Sequence, residues 1–203
     1  MRSARTSLNN SSCVLPKPSR IAGVVSALSL ELERIVSSLV YATSNDLREE
    51  VREQVVGLLN ERLASAIDLA AQAKQAHWNV KGSQFIALHE LFDEVHAAVD
   101  EYADLLAERV VQLGGIAEGT VSIVARRTNL TGYPGTIADG PQHVNALAGA
   151  LAEFGERMRR AIDETDDLGD RGTSDICTEI SRGIDKWLWF VEAHVQAAPI
   201  LES

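Results

Sequence analysis

The sequence predicts an all-α four-helix bundle with a long crossover between its second and third helices. Three observations carry this. Helical apolar periodicity runs on either side of Gly82, a glycine- and proline-bearing segment from Gly114 to Pro141 interrupts it, and two more helical stretches follow. With 203 residues, 45% apolar and 24% charged, the chain fits one domain with a sizeable core and room for one appendage.

Residues 1–44 read as a basic, flexible arm and residues 45–203 as the bundle. The arm is rich in Ser, and Pro16 and Pro18 interrupt any early helix before a weak amphipathic stretch from Leu28 to Tyr41. Three readings share its composition: a DNA-binding arm, a cleaved targeting peptide, and an upstream start site. Ser44-Asn45-Asp46 then offers N-cap chemistry, and Val55, Leu59, Leu63, Ala66, Ile67 and Ala70 recur at helical spacing towards Lys81. Gly82 supplies the left-handed stop, and Ser83 is placed to cap a second helix of about thirty residues ending at Gly114-Gly115. The segment to Pro141 is too irregular for a long helix and too long for a tight turn, so it reads as a crossover. A third helix follows to about Asp167, and after Gly169 and Gly172 a fourth runs from Ser174 to about Ala197. Four helices with one long connection between the second and third make the ferritin-like arrangement.

The net charge of −10 is unevenly placed, because residues 1–30 carry Arg2, Arg5, Lys17 and Arg20 and no acid. An acidic body repels nucleic acid and draws cations, so DNA contact has to run through the arm or a local basic patch. The longest apolar run, Ile21 to Leu30, is about half the length that crosses a bilayer, so no membrane partner is expected. Cys13 and Cys177 form neither a disulfide framework nor a CxxC site, which points to a reducing compartment.

Chemistry concentrates on the second helix. Leu91, Phe92, Val95, Val99, Tyr102, Leu106 and Val110 share one arc and face the core. With His89 at zero, Asp93 lies at about 40°, His96 at about 340°, Asp100 at about 20°, Asp104 at about 60° and Glu108 at about 100°. Any one of these residues, His77 included, is more often solvated or a satisfied core group. Together, imidazole and carboxylate donors without cysteine suit ferrous iron, zinc or manganese. Asp93 and Asp104 stand about 16 Å apart along the helix, too far to share one ion. The third and fourth helices carry no Glu-x-x-His motif, and the second has only Asp93-x-x-His96, which disfavours an intrachain di-iron centre. A twofold partner running antiparallel brings its Asp104 and Glu108 towards His77 and His89, placing the metal at an isologous interface.

These residues carry a family resemblance. His77-Trp78-Asn79-Val80-Lys81-Gly82, Phe85, Leu88-His89-Glu90, Asp93 and Asp104-x-x-x-Glu108-Arg109-x-x-x-Leu113-Gly114-Gly115 resemble the Dps mini-ferritins, the DNA-binding proteins of starved bacterial cells. That family's ferroxidase spacing is filled throughout, by His77, His89, Asp93, Asp104 and Glu108. With 5 His and 29 acids in 203 residues, filling the four later positions by chance from a given His has a probability of about 7 in 100,000. The resemblance continues through Tyr133-Pro134, Ser174-Asp175-Ile176, Asp185-Lys186 and Leu188-Trp189-Phe190, covering roughly residues 45–197. His96 adds a donor to the stripe, and Ser174 and Cys177 depart from the family's small or apolar residues.

The resemblance implies a cytoplasmic, nucleoid-associated ferroxidase and iron-storage protein. Its inter-subunit di-iron site would take His77, His89 and Asp93 from one chain and Asp104 and Glu108 from the twofold mate, with zinc and manganese as competing ions. It implies a homo-dodecamer built from twofold dimers, oxidation of ferrous iron preferentially by hydrogen peroxide, and a stored ferric mineral. Trp78 is placed to exchange an electron with the site or to pack at the interface. Asp175, Asp170 and Glu179 are placed either to line threefold pores or to complement a helix dipole. Sequence-nonspecific DNA contact through the arm completes the expectation. The alternative is a structural, DNA-condensing nucleoid protein whose metal only holds the dimer together.

Overall fold

The structure, a computed structural model, describes residues 39–196. The readings of residues 1–38, Cys13 among them, lie outside the described residues. Four long helices and one short one follow in order: α1 (Glu49–Asn79), α2 (Phe85–Gln112), α3 (Val121–Arg127), α4 (Gly140–Asp167) and α5 (Arg171–Glu192). The expected all-α bundle and its crossover are both present, and α3 is a short helix within the crossover that packs on α1.

The most extensive packing joins α1 to α2 and α4 to α5. Their apolar stripes meet in one core in which Leu59, Leu69, Phe92, Leu106, Leu147, Phe154, Ile180 and Ile184 are fully buried. On α2 the expected arc is buried at Phe92, Val95, Val99, Leu106 and Val110, while Leu91 and Tyr102 are half-buried at its margins.

Helix starts differ from expectation at three places. The first helix begins at Glu49 behind Arg48, which caps nothing with its side chain, because Asn45 Oδ1 instead accepts from Leu47 N–H at 3.0 Å in a local turn. Ser83 does not cap α2 either; Gln84 occupies the N-cap without a side-chain hydrogen bond. The first helix ends at Asn79 because Val80 turns extended (φ −59°, ψ 139°), and Gly82, expected as the stop, instead turns the chain two residues later at φ +113°. The last helix ends at Glu192, and α5 starts earlier than Ser174 because Asp170 caps it, accepting from Thr173 N–H at 3.0 Å.

The crossover is tied down at both ends. Val40 and Tyr41 N–H both donate to Gly114 O, at 2.9 and 3.1 Å. A Cβ on Gly114 (φ +90°) would meet Tyr41 O at 2.6 Å, so this close approach requires glycine. Further on, Tyr133 Oη lies 2.6 Å from Nδ1 of the buried His143, and burial lowers the pKa of that histidine and so favours its neutral form.

Candidate metal centre

The short turn between α1 and α2 brings His77, in the last turn of α1, against His89, in the second turn of α2. Each ring bonds to the other residue's backbone: His77 Nδ1 to His89 O at 2.7 Å, and His89 Nδ1 to His77 O at 2.9 Å. A carbonyl only accepts, so both Nδ1 atoms carry hydrogen, and in the neutral imidazole Nε2 keeps the lone pair. This is the outer arrangement that orients metal-binding histidines. The two rings stack with centroids 3.7 Å apart and planes 21° apart, and Phe85 packs on His89 at 5.1 Å.

Asp93 follows one turn after His89, with Oδ1 3.9 Å from His77 Nδ1 and its side chain 48% exposed. Lys74 forms an ion pair with it, and that hydrogen bond is the main reason its carboxyl sits below the usual carboxylate range. His77, His89 and Asp93 are thus one neighbourhood. Two oriented imidazole nitrogens and a charged carboxylate are donor types that suit a first-row divalent ion, but this set does not by itself enclose one.

Asp104 and Glu108 are not brought to them. Both are exposed on the far part of α2, and Asp104 lines an open cleft of about 480 Å³ with Asp100, Glu101, Leu63 and Ile67. Within one chain, no three His, Cys, Asp or Glu side chains among the described residues are grouped to hold an ion.

The comparisons with known proteins meet this geometry. A family model for the ferritin-like domain matches residues 56–200. The DNA protection during starvation protein of Agrobacterium fabrum is 50% identical over 156 residues, 77% of this chain and 96% of that protein. The chain belongs to the Dps family of ferritin-like proteins. Among solved Dps structures, DpsA14 from Streptomyces coelicolor superposes with a TM-score of 0.75 at 34% identity, covering 79% of this chain and 95% of the other. Dps from Microbacterium arborescens in its high iron form superposes at 0.69 with 35% identity, covering 76% and 99%. Oxidation and storage of iron is the work of this family.

The remaining expected Dps residues divide. Trp78 is 62% exposed beside His77. Asp175 and Glu179 are exposed on α5. Asp170, the third residue placed as pore-lining, is instead 2% exposed. Its carboxylate caps α5 and accepts from Arg109 Nη2 at 2.8 Å, while Arg109 Nε donates to Thr173 Oγ1 at 2.9 Å. Of the two placements expected for Asp170, the structure shows the one at a helix N-terminus, and its burial corrects the pore alternative. Sequence reasoning missed Lys74, although its place three residues before His77 puts it on the same face of α1 and was signal enough. No helix among the described residues is long and apolar enough to cross a membrane.

Proposed function

We propose that this chain oxidises ferrous iron at a twofold interface, where His77, His89 and Asp93 of one chain meet Asp104 and Glu108 of its mate. The observation that carries the reading is the reciprocal His77–His89 backbone bonding, which keeps the lone pair of each neutral ring on Nε2 and so supports both as donors to an incoming ion. Iron enters as substrate. Two ferrous ions give one electron each to hydrogen peroxide, and with two protons the products are two ferric ions and two waters. This two-electron route releases no hydroxyl radical, which fits a protective role towards DNA. Ferric product collects as mineral inside a dodecameric shell built from twofold dimers, and the acidic body favours cation uptake. Exposed Asp175 and Glu179 are the acids we place at threefold pores. Residues 1–44 supply weak, sequence-nonspecific DNA contact that gains strength by repetition over the shell. Such a protein works in the bacterial cytoplasm, beside the nucleoid.

Anaerobic ferrous loading of the full-length protein followed by peroxide titration tests the reading, with Asp104→Ala alongside. About two irons oxidised per peroxide, slowed in the variant, is the expected result. Oxidation no faster than without protein leaves the metal as a staple of the dimer and the protein as a structural one. Removing residues 1–44 should abolish DNA retention at low salt, and unchanged retention overturns the DNA assignment.

A further inference from the structure

The pair that opens the metal-bearing face of α2 occurs twice. His89 and Asp93 are followed one heptad later by His96 and Asp100. Seven residues turn the helix to within about 20° of the same direction and move about 10.5 Å along it. The hydrogen bonding repeats with the same step: His89 Nδ1 bonds to His77 O at 2.9 Å, and His96 Nδ1 bonds to Ala70 O at 3.0 Å. His77 and Ala70 are themselves seven residues apart on the antiparallel α1. His96 is therefore held in the tautomer that His89 adopts, with Nε2 carrying the lone pair on the same side of α2. Asp100 is exposed and lines the cleft shared with Glu101 and Asp104. The second copy lacks a third donor, because Ala70 stands where the first copy has His77.

We propose that His96 and Asp100 form a second divalent-cation site, completed on the twofold axis by the same two residues of a second copy of this chain. The proposal rests on the interface reading above. If His89 faces the mate's Glu108 and Asp93 faces its Asp104, the antiparallel register puts the axis between Ala98 and Val99. His96 then lies about 4 Å, and Asp100 about 2 Å, from the axis along the helix. Ala97 is small and exposed at this point, so two helices can approach closely. Two Asp100 carboxylates brought together there repel each other unless a cation sits between them. Two imidazoles and two carboxylates make a nitrogen–oxygen set for zinc, manganese or ferrous iron, apart from the oxidation centres on either side.

Equilibrium dialysis of the full-length protein against cobalt(II) tests this, with oligomeric size followed by light scattering. His96→Ala and Asp100→Asn should each bind one cobalt fewer per pair of chains than the unaltered protein, at unchanged size. Asp100 is exposed, so its replacement keeps the test open should loss of the His96 bond to α1 loosen the fold. Equal cobalt in all three proteins overturns the second site. A doubly altered Asp104→Ala, Glu108→Ala protein should lose interface ions but keep the axial one. If it loses none, the interface and the register derived from it are both overturned. That result is distinct from a loss seen only at His96 and Asp100.

Discussion

Two aspartates of the same protein meet a basic side chain in opposite settings. Asp170 is 2% exposed and its carboxylate serves Arg109, Thr173 and the first turn of α5 together. Asp93 is 48% exposed on its side chain, with flexible Lys74 as its direct hydrogen-bond partner and His77 Nδ1 3.9 Å away. A saturated, dry carboxylate holds the fold, whereas a half-wet one with a replaceable partner remains available to an ion. Exposure and the number of competing donors, not residue type, separate the two roles.

The largest effect should follow from breaking the closed pair. Arg109→Ala leaves Asp170 buried without its cation and should cost about 3–5 kcal/mol, read as a lower urea midpoint. His89→Ala should leave the helical content intact yet cut iron oxidation by more than about tenfold, since the oriented lone pair is lost. An oxidation rate that survives this change would place the chemistry elsewhere. Lys74→Met should do the reverse of an ordinary lesion: stability changes little, as for exposed ion pairs, while the ion loses a competitor for Asp93 and binds more tightly in a cobalt titration. The smallest effect is one of pH. Lys74 holds the Asp93 carboxyl low, so this aspartate contributes stability that is complete above the unfolded-state value and disappears as pH falls through the lowered native one. The difference in urea midpoint between the unaltered protein and Asp93→Asn should therefore be present at neutral pH and vanish on the acid side of the carboxylate range. A difference that grows with acid would reverse the sign assigned to the pair.

The bundle was legible because long amphipathic helices announce themselves at period 3.6, as the burial of Phe92, Val95, Val99, Leu106 and Val110 shows. The helix starts were not, because Asn45 and Ser83 have cap chemistry but local turns and side-chain geometry decide whether it is used. Asp170 was left between a pore and a helix N-terminus because its partner Arg109 lies 61 residues away, and burial of a polar pair leaves no periodic trace. His77, His89 and Asp93 were readable as a set through the resemblance to the Dps family, whose spacing they fill. The orientation of their rings was not, since it depends on carbonyls of a neighbouring helix; His96 finds its acceptor 26 residues earlier in the chain.

The position of Cys177 bears on how long such a protein lasts. It is fully buried, makes no disulfide, and burial pushes its thiol up to about 12. Peroxides attack thiolates, and at neutral pH this side chain offers almost none and no path to reach it. On the proposed reading, in which oxidant is consumed at the surface of this chain, the oxidisable sulfur stays sealed between helices and wear from that chemistry would be slow.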